Sequence, residues 1–121
     1  MTRGLAVVDD EEALRVAVAR VLRLKGFSVV EAADGESALK LLRDPAAAFD
    51  VLLLDATLPD IPAADVFAAV AAERPAVLVV VTSAYPRDEA LRLTGAPSGW
   101  PFIRKPYHID ELIRLIESAR A

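Results

Sequence analysis

Acidic, hydroxyl-bearing and basic side chains follow four of the apolar runs in this sequence. They are Asp9 and Asp10 after the first run, Asp55 after the third, Thr82 after the fourth and Lys105 after the fifth. Carboxylates that converge repel each other and raise one another's pKa values unless a cation neutralises them. Mg²⁺ prefers a few carboxylate oxygens, keeps waters in its octahedron and bridges to phosphate oxygens. If the fold brings these residues together, they predict a Mg²⁺ site with a lysine and a hydroxyl beside it.

Five short apolar runs alternate with amphipathic stretches from one end of the chain to the other. The runs are Leu5–Val8, Ser28–Ala32, Val51–Leu54, Val77–Val81 and Phe102–Arg104. Their length and their aliphatic, β-branched content favour strands, and four consecutive aliphatic residues are typical of a central parallel strand covered on both faces. The alternation predicts five β/α units.

The stretches between the strands carry apolar residues at helical spacing. These are Leu14, Ala17, Val18, Val21 and Leu22 in the first stretch, Ala38, Leu39, Leu41 and Leu42 in the second, Ala63, Val66, Phe67, Val70 and Ala71 in the third, and Ile109, Leu112, Ile113 and Ile116 in the last. Gly26 can close the first helix. Asp34-Gly35 leads into the second helix and Asp44-Pro45 stops it. A fourth, shorter helix is predicted between Pro86 and Gly95, before an irregular stretch from Pro97 to Pro101.

These elements predict an α/β fold with a single doubly wound, five-stranded parallel sheet and five helices. Right-handed crossovers between parallel strands place helices on both faces of such a sheet. Its ligands bind outside the carboxyl ends of the strands. Asp9, Asp10, Asp55, Thr82 and Lys105 all come at those ends, so we expect them at one rim.

Size and composition are typical of one globular domain. Of the 121 residues, 55% are hydrophobic and 26% are charged, a balance that excludes disordered and fibrous proteins. The chain has no cysteine, which excludes disulfides and thiolate sites. We therefore expect one domain over residues 1–121.

Charge and hydropathy argue against several partners. The net charge of −4 disfavours direct nucleic-acid binding, which depends on cations that replace counterions at phosphates. The longest apolar runs, such as Ala76–Val81, are far shorter than the roughly 20 residues needed to cross a bilayer, so no membrane insertion is expected. The start, MTRGLAVVDDEE, reaches carboxylates too early for a signal peptide, which favours a cytoplasmic protein.

Four motifs together resemble the receiver domain of two-component response regulators. They are VVDDEE with Asp9-Asp10, LLLDATLP with Asp55, VVVTSAY with Thr82, and FIRKPY with Lys105-Pro106. The resemblance covers essentially the whole chain. It implies a flavodoxin-like strand order 2-1-3-4-5 and a phosphoacceptor function: a histidine kinase or histidine phosphotransfer protein would pass a phosphoryl group to this domain, which would then control a downstream effector protein.

The resemblance also assigns a role to each residue of the metal site. It implies that Asp10 and Asp55 bind Mg²⁺ directly, that Asp9 acts largely through water, and that the backbone carbonyl of Thr57 completes the protein ligands. Asp55 would be the nucleophile that becomes an aspartyl phosphate, a covalent intermediate known for carboxylates.

Further roles implied by the resemblance concern the phosphorylated state. Lys105 would neutralise the phosphoryl oxygens, and the Thr82 hydroxyl would donate a hydrogen bond to one of them. Phe102 would be the aromatic that moves in the switch. The Lys105-Pro106 bond is expected to be cis, and the small Ser83 is expected to leave the acceptor accessible to a phosphotransferase.

Alternative interpretations remain open at this point. Each motif has a plainer meaning by itself: an acidic pair often begins a helix, and a lone lysine is usually solvated. A pseudo-receiver would keep the fold as an interaction surface without chemistry. A phosphatase of the haloacid dehalogenase type also uses an aspartate nucleophile and Mg²⁺, but it needs a second aspartate where this chain has Thr57.

Several features bear on the subclass of receiver and on its output. The family often has glycine eight residues after the acceptor, where this chain has Ala63 with Pro62 beside it, so the loop before the third helix is expected to differ. His108 is interpreted as a residue at a helix start and Trp100 as an aromatic on the core or an interaction residue. The motifs look more like receivers of hybrid kinases or stand-alone receivers. No effector region follows Ala121, so output through a partner, a homodimer or further segments is expected.

Overall fold

Strands and helices alternate along the chain in a computed structural model that describes residues 3–94 and 100–120. In chain order the elements are β1 (Gly4–Val8), α1 (Glu12–Leu24), β2 (Ser28–Ala32), α2 (Gly35–Arg43), β3 (Val51–Asp55), α3 (Ala63–Glu73), β4 (Leu78–Ser83), α4 (Arg87–Thr94), β5 (Phe102–Arg104) and α5 (Ile109–Arg120). This is the predicted series of five β/α units.

The strands form one parallel sheet in the order β2-β1-β3-β4-β5. In its register Val8 lies beside Leu54, and Asp55 lies beside Thr82. The carboxyl ends of the central strands therefore meet at one rim. The predicted fold class and strand order are confirmed.

Local signals placed most element boundaries correctly. Gly26 follows α1 with a φ of 96°, a left-handed conformation that glycine adopts without steric cost. The third and fourth strands continue past the predicted runs, through Asp55 and Ser83, because both keep pairing up to the rim. The fourth strand also begins at Leu78, one residue later than predicted. The predicted helix end at Gly95 and residues 97–99 of the predicted irregular stretch lie outside the described residues.

Two apolar layers cover the sheet, one on each face. The layer under α2, α3 and α4 includes Leu52, Leu54, Val66, Phe67 and Val81. The layer under α1 and α5 includes Leu5, Leu22, Leu53, Leu112 and Ile116. Ala17 and Ala71, predicted to belong to these layers, are instead exposed, because the buried stripe of each helix is narrower than the set of apolar positions predicted for it. None of the helices in the described ranges combines the length and apolar character that crossing a bilayer requires.

The carboxyl end of α2 is capped by an arginine from the end of α3. The Arg74 guanidinium donates hydrogen bonds to the carbonyls of Leu42 (3.0 Å), Leu41 (3.2 Å) and Asp44. It also lies 4.3 Å from the centre of the Phe49 ring. The last carbonyls of a helix have no partner within the helix, and a cation there also interacts favourably with the negative end of the helix dipole.

Replacing this arginine by alanine is expected to destabilise the protein. Arg74→Ala removes several charge-assisted hydrogen bonds and a cation–π contact, so we expect a loss of about 2–3 kcal/mol in the free energy of unfolding. Urea denaturation measures it. Arg43→Ala is the control, because the pair that Arg43 makes with Glu73 at 4.0 Å is exposed, so its loss should change stability by under about 0.5 kcal/mol. Equal losses in the two variants would contradict the capping role.

Candidate functional site

Three carboxylates meet at the rim where β1 and β3 end. Asp9 follows β1 directly, Asp10 comes next, and Asp55 is the last residue of β3. One oxygen from each carboxylate lies within 4.8 Å of the others. Asp9 and Asp55 are 4% and 3% exposed, whereas Asp10 is open to solvent. The predicted acidic cluster is therefore present, with two of its charges buried.

Each buried carboxylate is oriented by its own loop. Asp9 accepts a hydrogen bond from the backbone N–H of Glu11 at 2.9 Å. Asp55 Oδ1 accepts one from the Thr57 N–H at 3.0 Å and one from the Thr57 hydroxyl at 3.3 Å. Short loops of this kind, in which an aspartate bonds the backbone two residues on, hold the side chain in one direction. For both residues the other carboxylate oxygen, Oδ2, points to a shared cation.

That cation is the ammonium group of Lys105. Its Nζ lies 2.8 Å from Asp9 Oδ2, 3.1 Å from Asp55 Oδ2 and 3.5 Å from a carboxylate oxygen of Glu11. The Lys105 side chain is only 11% exposed. Its backbone is held to β4, because the Lys105 N–H donates to the Ser83 carbonyl at 2.8 Å, and its bond to Pro106 is cis, as predicted.

Burial and the neighbouring charges shift the pKa values at this site. Burial raises the pKa of Asp55 above its ordinary 3.8, against the opposing effects of the Thr57 N–H and the Lys105 charge. Burial lowers the pKa of Lys105, but hydrogen bonding to Asp9 and the charges of Asp9 and Asp55 outweigh it, so the pKa lies above 10.5. Burial and the Asp9 charge raise the pKa of Tyr107 to about 12. Lys105 is therefore fully charged at neutral pH.

Thr82 and Phe102 lie on the strands next to the acceptor. Thr82 is 2% exposed and is the register partner of Asp55, and its carbonyl accepts from the Ala56 N–H at 2.8 Å. Phe102 pairs with Val81 and packs, half-buried, on the layer under α3. Trp100 packs edge-on against Phe67, with 4.7 Å between ring centres. Of the two roles considered for Trp100, core packing is the one that this contact supports.

The donor chemistry of the cluster fits Mg²⁺. Asp9, Asp10 and Asp55 offer only hard oxygen ligands, and Mg²⁺ prefers these. Mg–O distances of about 2.1 Å put opposite ligands of an octahedron about 4.2 Å apart. A separation within 4.8 Å thus needs only a small closure of the cluster. The Lys105 ammonium supplies positive charge to Asp9 and Asp55, and a bound Mg²⁺ would add to that charge.

Sequence reasoning missed an arginine that supports the acidic loop. Arg15 of α1 donates to the Asp9 carbonyl at 3.0 Å and pairs with Glu31 of β2 at 3.3 Å, while Arg23 pairs with the same glutamate at 3.3 Å. The spacing of Arg15 and Arg23, two turns apart on one helix face, was visible in the sequence. Their shared partner was not, because it lies on another element. His108, in contrast, stands at the start of α5 as predicted, where its carbonyl accepts from the Leu112 N–H.

The sequence matches a protein family and several of its members. A family model described as the response regulator receiver domain matches residues 5–117. The transcriptional regulatory protein PdtaR of Mycobacterium tuberculosis is 34% identical, covering 97% of this chain and 56% of PdtaR. A cyclic di-GMP phosphodiesterase of Thermotoga maritima is 34% identical over 109 residues, covering 90% of this chain and 28% of that protein. The chain thus spans about half the length of these curated relatives, or less.

The fold matches solved structures as well. The crystal structure of the receiver domain from the hybrid histidine kinase CckA has a TM-score of 0.78 to this chain at 30% identity, covering 95% of this chain and 96% of that one. The similar proteins therefore include a hybrid kinase as well as a transcriptional regulator.

Proposed function

Because the chain belongs to the response regulator receiver family, whose domains accept phosphoryl groups in two-component signalling, we propose that Asp55 is its phosphoacceptor in a Mg²⁺-dependent reaction. One observation carries the proposal: the Asp55 carboxylate, at the carboxyl end of a central strand, shares the Lys105 ammonium with Asp9 and lies within one cluster with Asp10. Buried carboxylates whose pKa values are shifted by burial and by neighbouring charges cluster at functional sites.

The metal ligands in this proposal are the residues of the acidic cluster. Asp10 and Asp55 would bind Mg²⁺ directly, Asp9 would act largely through water, and the backbone carbonyl of Thr57 would complete the protein ligands. The bound ion would supply positive charge that screens the acceptor carboxylate from the anionic phosphoryl group. Because Asp10 is exposed, its carboxylate could replace its hydrating waters by the ion without a change in the packing around it.

The transfer step uses Asp55 as the nucleophile. A carboxylate oxygen of Asp55 attacks the phosphorus of a phosphohistidine, and the P–N bond breaks with its electron pair left on the imidazole nitrogen, which takes up a proton. The positive charge of the Lys105 ammonium then neutralises the negative phosphoryl oxygens during the transfer. The Thr82 hydroxyl, on the strand next to Asp55, would donate a hydrogen bond to one of the phosphoryl oxygens.

The phosphorylated state would be communicated through β4 and β5. A doubly negative group on Asp55 would draw the Thr82 hydroxyl toward it. Phe102, the half-buried residue that pairs with Val81 of β4, would then follow into the space that opens. Such a change alters the surface around α4 and β5 without a change of fold.

The partners follow from the same proposal. A histidine kinase or histidine phosphotransfer protein supplies the phosphoryl group, and a downstream effector or a second copy of the chain reads the changed surface. We propose further that residues 1–121 form one receiver domain that works in the cytoplasm. No direct contact with nucleic acid is proposed.

Two other functions fit the site less well. A pseudo-receiver would not need Lys105, Asp9 and Asp55 in mutual contact. A haloacid dehalogenase phosphatase needs an acid/base aspartate two residues after its nucleophile. Here Thr57 holds that position and instead donates two hydrogen bonds to Asp55, so it cannot deliver a proton to a leaving group in the same way.

Phosphoryl uptake from a small donor tests the proposal. Purified protein with Mg²⁺ and acetyl phosphate is expected to gain the mass of one phosphoryl group, and the gain should be absent when EDTA replaces Mg²⁺. Beryllofluoride, which mimics the phosphoryl group, should bind only with Mg²⁺. Binding of Mg²⁺ without any mass gain would indicate a pseudo-receiver, and steady hydrolysis of phosphate esters would indicate a phosphatase.

A further inference from the structure

One carboxylate ties the loop between β3 and α3 to the amino end of α2. Asp60 Oδ1 accepts a hydrogen bond from the Gly35 N–H at 2.8 Å, and Oδ2 accepts one from the Glu36 N–H at 2.9 Å. Both carboxylate oxygens therefore accept hydrogen bonds from residues that lie 25 and 24 positions earlier in the sequence. The side chain belongs to the loop that follows the acceptor strand, and its partners belong to another helix.

The two aspartates at this helix end share its free N–H groups. The first N–H groups of a helix have no partner within the helix. Asp34, the residue before α2, accepts from the Ser37 N–H at 2.8 Å, while Asp60 takes the two N–H groups before it. The bonds from Glu36 and Gly35 hold the pKa of Asp60 below its ordinary 3.8. Asp34 thus caps its own helix, and Asp60 caps it from outside.

The glycine at this junction allows the loop to approach. A Cβ on residue 35 would lie 2.9 Å from the Cβ of Ile61 and 3.1 Å from Asp60 Oδ1, closer than a side chain can be placed without moving the loop. The Asp60-Ile61 segment therefore sits directly on the backbone of α2. The loop is therefore held on the helix by close packing as well as by the two hydrogen bonds.

The same loop carries Thr57, so the tie reaches the metal site. Thr57 is fixed to Asp55 by its N–H and its hydroxyl. Asp60 is fixed to α2, and only Leu58 and Pro59 lie between the two anchors. Because proline has a fixed φ and the span is short, the position of the Thr57 peptide depends on both ends.

We propose that Asp60 is a positioning residue for the metal site: its bonds to the amino end of α2 hold the loop in the shape that presents the Thr57 carbonyl beside Asp55. This rests on the proposed function, in which that carbonyl is a Mg²⁺ ligand. Outer residues that orient metal ligands typically contribute about 10–100-fold to metal affinity.

The experiment compares two aspartates that cap the same helix. Asp60→Ala and Asp34→Ala should both lower stability in urea, because each removes a cap of α2. Only Asp60→Ala should weaken Mg²⁺ binding, measured by calorimetry without any phosphodonor, by about tenfold. Asp60→Asn keeps one acceptor oxygen and should give an intermediate Mg²⁺ affinity. This variant decides the question if the alanine variant does not fold.

Each outcome has a definite meaning. Wild-type Mg²⁺ affinity in the Asp60 variants would overturn the proposal and leave Asp60 as a helix cap. Equal weakening in Asp34→Ala would overturn it too, since the effect would then come from the helix and not from the loop. If the wild-type chain itself binds no Mg²⁺ and takes up no phosphoryl group, the proposed function fails, and the positioning role fails with it.

Discussion

Asp55→Asn is expected to abolish phosphoryl uptake while the chain keeps its fold. Asparagine retains an oxygen that can accept the hydrogen bonds of Thr57, but its amide is not a nucleophile toward phosphorus. Loss of a covalent nucleophile lowers rates by many orders of magnitude, so we expect a fall of at least about a thousandfold. The measurement is the rate of mass gain with acetyl phosphate and Mg²⁺.

The same substitution should not destabilise the protein at neutral pH. Burial raises the pKa of Asp55 in the folded chain above its ordinary 3.8, so the folded state favours the protonated carboxyl. The ionised carboxylate therefore lowers the free energy of unfolding as the pH rises from 3.8 through this raised pKa. Asp55→Asn removes this cost. We therefore expect it to be at least as stable as wild type at pH 7 in urea, with the difference shrinking as the pH falls.

The control for Asp55 is an exposed carboxylate on the neighbouring helix. Asp65 lies in the first turn of α3 and is open to solvent, so Asp65→Asn should leave phosphoryl uptake unchanged. Phosphoryl uptake at the wild-type rate by Asp55→Asn would assign the acceptor to another residue and reject the proposed function.

Lys105→Met is expected to slow phosphoryl uptake by about 10²–10³-fold, the usual loss when a group that stabilises transition-state charge is removed. It should also destabilise the chain without metal by about 3 kcal/mol, because the paired Asp9 and Asp55 carboxylates are left buried without their cation. Since the pKa of Lys105 lies above 10.5, wild type has the full benefit of this pairing at neutral pH and loses it only as the pH rises through that pKa.

Mg²⁺ should compensate for the missing lysine in stability but not in rate. In urea denaturation, saturating Mg²⁺ is expected to stabilise Lys105→Met more than wild type, because the ion supplies the only large positive charge that then faces the carboxylates of the described site. Lys40→Met, on the exposed face of α2, is the control and should change neither quantity. A metal effect no larger in Lys105→Met than in wild type would show that the lysine does not balance the acidic cluster.

Sequence by itself predicted the alternating β/α elements and the residues that meet at the rim. Strand length, helical spacing and residues such as Gly26 and Asp34 act on their immediate neighbours, so they are legible in a single chain. The rim position of Asp9, Asp55 and Lys105 followed from one rule, that parallel strands end on the same side. The strand order itself came from the family resemblance, because apolar runs of similar composition do not specify their neighbours.

The tertiary structure alone decided which charges touch. Lys105 pairs with Asp9 and Asp55, Arg15 holds the Asp9 carbonyl, and Asp60 caps a helix that begins 25 residues earlier. None of these contacts has a local signature, since each joins side chains on elements that only the folded sheet brings together. Exposed Ala17 shows the same limit, because alanine fits a buried or an open helix face and only packing chooses between them. Residue types specified the kind of chemistry, and the packed loops specified its geometry.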